Sequence, residues 1–432
     1  MTEKPTNLSE RGSRCRICTG CGRCFGKKKM DAVSAFGCGE AASKNDGTAA
    51  GQKGLLAAVD IGTTTVAMQL RSLQDGDVVD TFTCLNPQGK YGADVLSRIE
   101  AAENPQVKKA MCREIREALE TGILQFQKTL GRLCLPAEEK LCGIVIAANT
   151  TMVHLLMDLD VSRLGHSPFQ PETLSEIQTN FLGIPAVILP GISAFVGADI
   201  FAGIHALSMQ ERQEITLLLD LGTNGEMVLG NRERMVATAA AAGPAFEGNT
   251  DNYGTDLMAL AARLLEEGLL DETGLLADPY FEEGITIGGV RLTQNYVRQL
   301  QMAKAAVCTG IRILCEKYGL QSFSQIDKVF LAGGMGYYLS PKAAARIGLL
   351  PAELAGKTVA VGNAALEGAF WYGRRIAWSE TGEAKGVLPP QGAAGSISAM
   401  NELPIQVEVF NLAKEPQFSE RYMQEINFPA EG

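Results

Sequence analysis

Apolar runs and polar turns alternate along this chain in two similar passes. The first begins at Leu55, where "LLAAVDIGTTTVAMQL" reads as a strand, a tight Thr-rich turn and a second strand. "VKKAMCREIREALETGILQFQKTLG" then places Met111, Ile115, Leu119 and Ile123 near one face of a helix. "LCGIVIAANTTM" reads as a buried strand entering a polar turn. In the second pass "EITLLLDLGTNGEMVLG" repeats the strand, turn and strand, and "GGVRLTQNYVRQLQMAKAAVCTGIRILCEKYG" carries a helix of about 25 residues by the same periodicity. "IDKVFLAGGMGYYLS" is a strand opening into a glycine turn, and a helical stretch is expected around "VGNAALEGAFWYG". Residues 380–400 read as loop, and "PIQVEVF" as a last strand. The recurrence of strand, D-x-G-T and strand is a duplication of architecture rather than a short tandem repeat.

Before Leu55 the texture differs. Residues 1–30 form a Cys-rich head ending in "GKKKM", and residues 31–54, rich in Ala, Gly and Ser, read as a flexible linker. Two lobes are expected beyond it, over residues 55–212 and 213–432, the second with a C-terminal extension. The fold class is α/β.

The composition narrows the function classes. Hydrophobic residues make up 46% and charged residues 20% of 432, a soluble globular profile. A net charge of -10 argues against nucleic-acid or anionic-membrane partners. The polar first residues predict no secretory signal, and the longest apolar region is broken by two prolines, several glycines and Asp199. A cytoplasmic location is expected. The scattered Cys84, Cys112, Cys134, Cys142, Cys308 and Cys315 fit reduced, packed thiols.

Each pass delivers an Asp at a strand end, Asp60 and Asp220, followed by Gly62-Thr63 and Gly222-Thr223. Such glycines let the backbone approach an anion, and successive N–H groups line a phosphate nest. Hydroxyls of Thr63, Thr64, Thr65 and Thr223 add donors. Asp60 and Asp220 suit Mg²⁺, which keeps several waters and takes few carboxylates. Two facing copies would clasp a polyphosphate. The third element, "VFLAGGMGYY", places Gly333, Gly334 and Gly336 after an apolar strand, where backbone can approach a base and ribose. Glu226 and Asn149 are positioned to orient an attacking water, and Asp199 and Glu247 are further candidate cleft acids.

Together these elements resemble the nucleotide-binding core of the acetate and sugar kinase, heat-shock chaperone and actin superfamily. The resemblance implies an actin-like, ribonuclease H-like core of two lobes with ATP and Mg²⁺ in the cleft. It implies phosphate contacts from Asp60 to Thr65 and from Asp220 to Asn224, and adenosine on Gly333 to Gly336. Lys304 is either a ribose or adenine contact or a solvated helix lysine.

"NPQGKYGADVLSRI", "NTTMVHLL", "LPGISAFVGADI", "DLGTNGEM", "AAGPAFEG", "LTQNYVRQLQMAKAAVCTGI" and "LAGGMG" run in order over residues 86–336, and "PQFSERYMQEINFP" follows near the end. These stretches resemble the C-terminal ATPase domain of the reductive activators of corrinoid proteins, over roughly residues 55–430. The resemblance implies ATP-dependent reduction of a Co(II) corrinoid to Co(I), with a corrinoid protein of a methyltransferase system as partner and reduced ferredoxin or a similar carrier as donor. The family's plant-type [2Fe–2S] domain, linker and middle domain are not recognisable in this chain, Ala148 replaces a usual Gly, and Asn295 stands where an acid is common. Other readings remain open: an activator of another low-potential metalloenzyme, a small-molecule kinase, or an ATP-binding switch protein. A homodimer is also open.

The head carries Cys15, Cys18, Cys21 and Cys24, each three residues from the next, with Cys38 beyond. C-x₂-C-x₂-C supplies three thiolates to a [4Fe–4S] cluster. The fourth ligand is open among Cys15, Cys24 and Cys38, and structural Zn²⁺ and free redox thiols remain alternatives. A cluster there would make the head the relay for the electron.

Overall fold

The computed structural model describes residues 53–133, 140–248, 252–333, 339–378, 384–387 and 406–430. The Cys-rich head and most of the linker lie outside the described residues, as do Cys134, Gly334 and Gly336.

Two six-stranded sheets carry the molecule. The first is built from β1 (Leu55–Ile61), β2 (Thr65–Ser72), β3 (Val78–Leu85), β4 (Leu141–Ala148), β5 (Ile177–Phe181) and β6 (Ile184–Ile188), in the order β3-β2-β1-β4-β6-β5. Hairpin turns make β1, β2 and β3 antiparallel, while β4 returns parallel to β1 after the Pro105–Leu133 helix. β1 is buried on both faces, which is why its sequence is almost uniformly apolar rather than alternating. The Pro105–Leu133 helix turns Met111, Ile115, Leu119, Ile123 and Phe126 inward, the stripe expected from the sequence.

The second sheet repeats this plan with β7 (Thr216–Leu221), β8 (Gly225–Gly230), β9 (Met235–Ala240), β12 (Lys328–Ala332) and β13 (Thr358–Gly362); the small hairpin of β10 (Ile285–Ile287) and β11 (Val290–Leu292) lies between in the chain. Its order, β13-β12-β7-β8-β9 with β16 (Val407–Val409) added beside β9, read from the other end matches β3-β2-β1-β4-β6 strand for strand. The duplication inferred from the sequence is therefore a duplication of topology. The helix between β11 and β12 is Gln294–Tyr318, 25 residues, capped by Thr293 at its start and by Gly319 in the left-handed conformation (φ 99°) at its end. Its length is that read from the sequence, and Val290–Leu292 ahead of it belongs to the hairpin. Within the expected loop 380–400, Ala384–Val387 forms β15 and pairs with β14 (Ile376–Trp378).

Helices that follow corresponding strands join the halves. Ala198–Ala206 comes after β6 and Ala364–Arg374 after β13, and the two pack on one another. Ala364–Arg374 also lies on β1 and β4 of the first sheet, burying Phe370, Ala369 and Leu366 with Leu56, Ala58 and Val145. Burial of a side chain such as Phe370 or Leu366 is worth about 1.5–3 kcal/mol. The contact is close because Gly368 has no side chain: a Cβ there would overlap the Ala202 carbonyl. Among the described residues no helix is long and apolar enough to cross a membrane.

Candidate functional site

The two D-x-G-T turns close in the same way. Gly62 N–H donates to the Thr65 carbonyl at 2.8 Å, and Gly222 N–H donates to the Asn224 carbonyl at 2.8 Å. The second turn is one residue shorter, so Asp60 pairs across its hairpin with Ala67 while Asp220 pairs with Glu226. On their parallel sides Asp60 lies beside Ala147 and Asp220 beside Ala332. One past Ala332, Gly333 takes φ 89°; a Cβ there would sit 2.5 Å from the Leu221 carbonyl and 2.7 Å from Asp220 Oδ1. Glycine is required at that place by the close approach of the Leu221 carbonyl and the Asp220 carboxylate.

The turns meet. Thr64 Oγ1 and Thr223 Oγ1 are 3.4 Å apart, and both hydroxyls donate to Glu247 Oε1, at 2.8 and 2.6 Å. Thr63 is buried and accepts a hydrogen bond from Asn149 Nδ2 at 3.2 Å. Asn149 also caps the Thr150–Leu156 helix, accepting from Met152 N at 2.9 Å. Thr65 closes its turn through its carbonyl and starts β2.

Four half-buried carboxylates share the floor of the cleft: Asp60, Asp199, Asp220 and Glu226. Desolvation pushes Asp60 up to about 7, against the lowering effect of its bond from Asn363 and with a contribution from Asp199. Desolvation, with repulsion from Asp199 and Asp60, pushes Asp220 up to about 8. Asp199, at the start of the Ala198–Ala206 helix, is pushed up by burial to about 6, and its Oδ1 accepts from Ile200 N at 2.8 Å. Glu226 is raised well above the ordinary range by burial and then by Asp199 and Asp220, while a hydrogen bond from Asn224 opposes the rise. These groups titrate as a set. Crowded acids that resist ionisation are a suitable seat for a divalent cation, whose charge would reverse the repulsion. Among the described residues no three His, Cys, Asp or Glu side chains converge for direct chelation, so the donor set fits Mg²⁺ held largely through its own waters.

Three side chains that the sequence did not single out brace this floor. Asn363 Nδ2 donates to Asp60 Oδ2 at 2.7 Å while its Oδ1 caps the Ala364–Arg374 helix, accepting from Leu366 N at 2.8 Å. Arg98, fully buried, donates to the Thr63 carbonyl at 2.5 Å and to the Gly92 carbonyl at 2.9 Å. Burial lowers its pKa to about 10 against the pull of Asp94 and Glu247. Asn86 Nδ2 donates to the Gly62 carbonyl at 2.8 Å. The sequence held one signal for Asn363: "VGNA" after β13 echoes "VGAD" after β6.

Lys304 is neither solvated nor among these acids. It is fully buried on the Gln294–Tyr318 helix, its ammonium donates to the Asn427 carbonyl, and it lies 5.5 Å from the centre of the Phe428 ring. Burial lowers its pKa to about 8. The C-terminal segment covers it, and Arg312 and Cys308 hold the same segment through Glu425 at 2.5 and 3.3 Å. His154 is a core residue, bonded to the Thr150 carbonyl at 2.7 Å and to Glu172 N at 3.0 Å. The described cysteines, Cys84, Cys112, Cys142, Cys308 and Cys315, are unpaired thiols.

Comparison with known proteins adds to this geometry. The model of the RACo middle region matches residues 55–212, and the model of the C-terminal domain of RACo, the ASKHA domain, matches residues 214–268 and 254–372. The sequence reading assigned residues 55–430 to the ATPase domain and found no middle domain; the match over 55–212 corrects this, and the first sheet corresponds to that middle region. The corrinoid activation enzyme RamQ of Eubacterium limosum is 29% identical over 440 residues, covering 86% of this chain and 70% of that protein. The [Co(II) methylated amine-specific corrinoid protein] reductase of Methanosarcina barkeri is 21% identical over 381 residues, covering 72% and 68%. Among solved structures, a reductive activator for corrinoid, iron–sulfur protein superposes with a TM-score of 0.72 at 27% identity, covering 88% of this chain and 67% of that one. The two-lobed core is thus of the actin-like, ASKHA type.

Proposed function

The chain belongs to the reductive activators of corrinoid proteins, and from that membership we propose that it uses ATP to drive an electron onto the cobalt of a corrinoid protein in a methyltransferase system, taking Co(II) to Co(I). The observation that carries the ATP part is the meeting of the two turns, with Thr64 and Thr223 hydroxyls 3.4 Å apart, at the ends of strands that carry Asp60 and Asp220. The N–H groups around Gly62 and Gly222 and the hydroxyls of Thr63, Thr64 and Thr223 bind phosphate oxygens. Asp60 and Asp220 would hold Mg²⁺ through its waters, and Asn363 fixes the Asp60 carboxylate through its 2.7 Å hydrogen bond. Glu226, steadied by Asn224, and Asn149 orient the attacking water. Gly333 and the glycines after it receive the adenosine. When bound, MgATP supplies the free energy of its terminal phosphoanhydride.

Reducing a Co(II) corrinoid is uphill for ordinary carriers, so a nucleotide-driven change of state is what the reaction needs. The paired helices Ala198–Ala206 and Ala364–Arg374 are the mechanical link for it, because each starts at the acid floor, at Asp199 or Asn363, and each packs across the lobes. In this reading Cys18 and Cys21, with two of Cys15, Cys24 and Cys38, would hold a [4Fe–4S] cluster, which when bound would supply a one-electron relay from reduced ferredoxin or a similar donor. That part rests on cysteine spacing and on residues outside the described ones.

The test is anaerobic purification of the full chain with iron, sulfide and EPR measurement. Iron and sulfide near four each per chain support the cluster; zinc in their place overturns it. Cys18→Ala and Cys21→Ala should lose the cluster and Co(I) formation while keeping ATP binding. Full ATP-dependent Co(I) formation by either variant would remove the head from the electron's path.

A further inference from the structure

Glu247 holds a position that the chemistry of the cleft does not require. It follows the short Pro244–Phe246 turn of helix and reaches between the lobes, where its Oε1 accepts both Thr64 Oγ1 and Thr223 Oγ1. Thr64 belongs to the first lobe's turn and Thr223 to the second's, so one carboxylate oxygen ties the lobes together. In the reading of this cleft as an ATP site, these two hydroxyls are also donors to the polyphosphate. A phosphate oxygen and the Glu247 carboxylate are both anionic acceptors, and they cannot share the same two donors. We propose that Glu247 is an internal competitor of the phosphate group: it occupies the two threonine hydroxyls until a nucleotide polyphosphate displaces it, and the displacement releases the two turns from one another. The inference rests on the reading of this cleft as an ATP site and adds to it how phosphate arrival is converted into a change between the lobes.

The local backbone suits such a release. Gly243 and Gly248 flank Glu247's turn, both in the left-handed region at φ 69° and 93°. Gly248 is wedged against the Asn252 carbonyl, whereas nothing lies within 4 Å of a Cβ placed on Gly243. The segment is therefore closely packed at Gly248 and open at Gly243. Ala245, between them, accepts a hydrogen bond from Tyr296 Oη at 2.8 Å, which links the turn to the first turns of the Gln294–Tyr318 helix. Displacing Glu247 frees the bond across the lobes while this anchor within the second lobe remains. Hydrogen bonds to a carboxylate are of the charge-assisted kind, stronger than those to a neutral acceptor, so it competes well for the two hydroxyls. A state in which the donors are already taken reduces the apparent affinity for nucleotide by the fraction of molecules with the latch open.

Calorimetry with the full chain and a Mg²⁺ complex of a non-hydrolysable ATP analogue tests this. Glu247→Ala should bind the analogue at least about tenfold more tightly than wild type, since the competing acceptor of two charged hydrogen bonds is removed and even one such bond is worth about a factor of ten. Glu247→Gln keeps the shape and an acceptor but not the charge, so it should fall between the two and guards against a folding defect in the alanine variant. Small-angle scattering should show an analogue-dependent change of dimensions in wild type that is reduced in Glu247→Ala, whose two turns are already released from one another. Wild-type binding with equal or weaker binding in both variants overturns the latch and makes Glu247 a ligand of the bound nucleotide or its cation instead. Absence of any binding by wild type overturns the ATP reading itself.

Discussion

Asn363 joins two functions in one side chain, and substitutions can separate them. Its Oδ1 caps the Ala364–Arg374 helix and its Nδ2 donates to Asp60 at 2.7 Å. Asn363→Ser keeps a cap and removes the amide donor. Asn363→Asp keeps the cap and sets a fifth carboxylate against Asp60. Asn363→Ala removes both. A cap is worth about 1 kcal/mol, so Asn363→Ala should melt about 2 °C below Asn363→Ser. The bond to the charged Asp60 is worth about 1.5–3 kcal/mol. Its loss favours the protonated acid, already raised to about 7, and Mg²⁺ must then displace a proton. MgATP affinity in Asn363→Ser should therefore fall about 10–100-fold at neutral pH, since 1.4 kcal/mol is a factor of ten. Asn363→Asp should lose more, and should recover in part when Mg²⁺ is raised, because a cation offsets the added charge. The assay is titration calorimetry with MgATP at several Mg²⁺ concentrations, beside thermal melts of each variant. Wild-type affinity in both Asn363→Ser and Asn363→Asp would show that Asp60 does not serve the cation, and the two-turn clasp would fail with it.

Two further outcomes follow from the same geometry. Asp60 and Asp220 keep their protons to about 7 and 8 in the folded chain but release them near 3.8 when unfolded, so between those values the folded state binds more protons and stability falls as pH rises. Thermal melts without nucleotide should decline from about pH 5 to about pH 8, and Asp220→Asn should flatten the decline; an identical slope in that variant would contradict the assignment. Gly368→Val should destabilise the chain by roughly 3 kcal/mol or more, because its side chain would overlap the Ala202 backbone at the helix crossing; a wild-type melt would mean the lobes are not joined there.

What could be read from the sequence was local. A strand delivering Asp into a Gly-Thr turn is specified by adjacent residues, so both turns and their duplication were visible, and the long helices announced themselves by periodicity. The braces were not visible because their partners are distant: Asn363 meets Asp60 across 303 positions and Thr64 meets Glu247 across 183. Lys304 shows the same limit. Periodicity places it on a helix but does not say that residues 425–429, more than a hundred positions on, will cover that face. The match of residues 55–212 to a middle region was missed for a different reason, since the repeated topology makes both halves resemble an ATPase lobe.

The central claim is that ATP held between the two turns drives reduction of a corrinoid cobalt. Its most direct test mixes the full chain anaerobically with a low-potential reductant, MgATP and a Co(II) corrinoid protein, and follows Co(I) by absorbance for wild type, Asp60→Ala and Asp220→Ala. The account predicts Co(I) only with wild type and only with MgATP, the two variants remaining folded and failing to hydrolyse ATP. Equal Co(I) formation without ATP, or by either Asp variant, would contradict it.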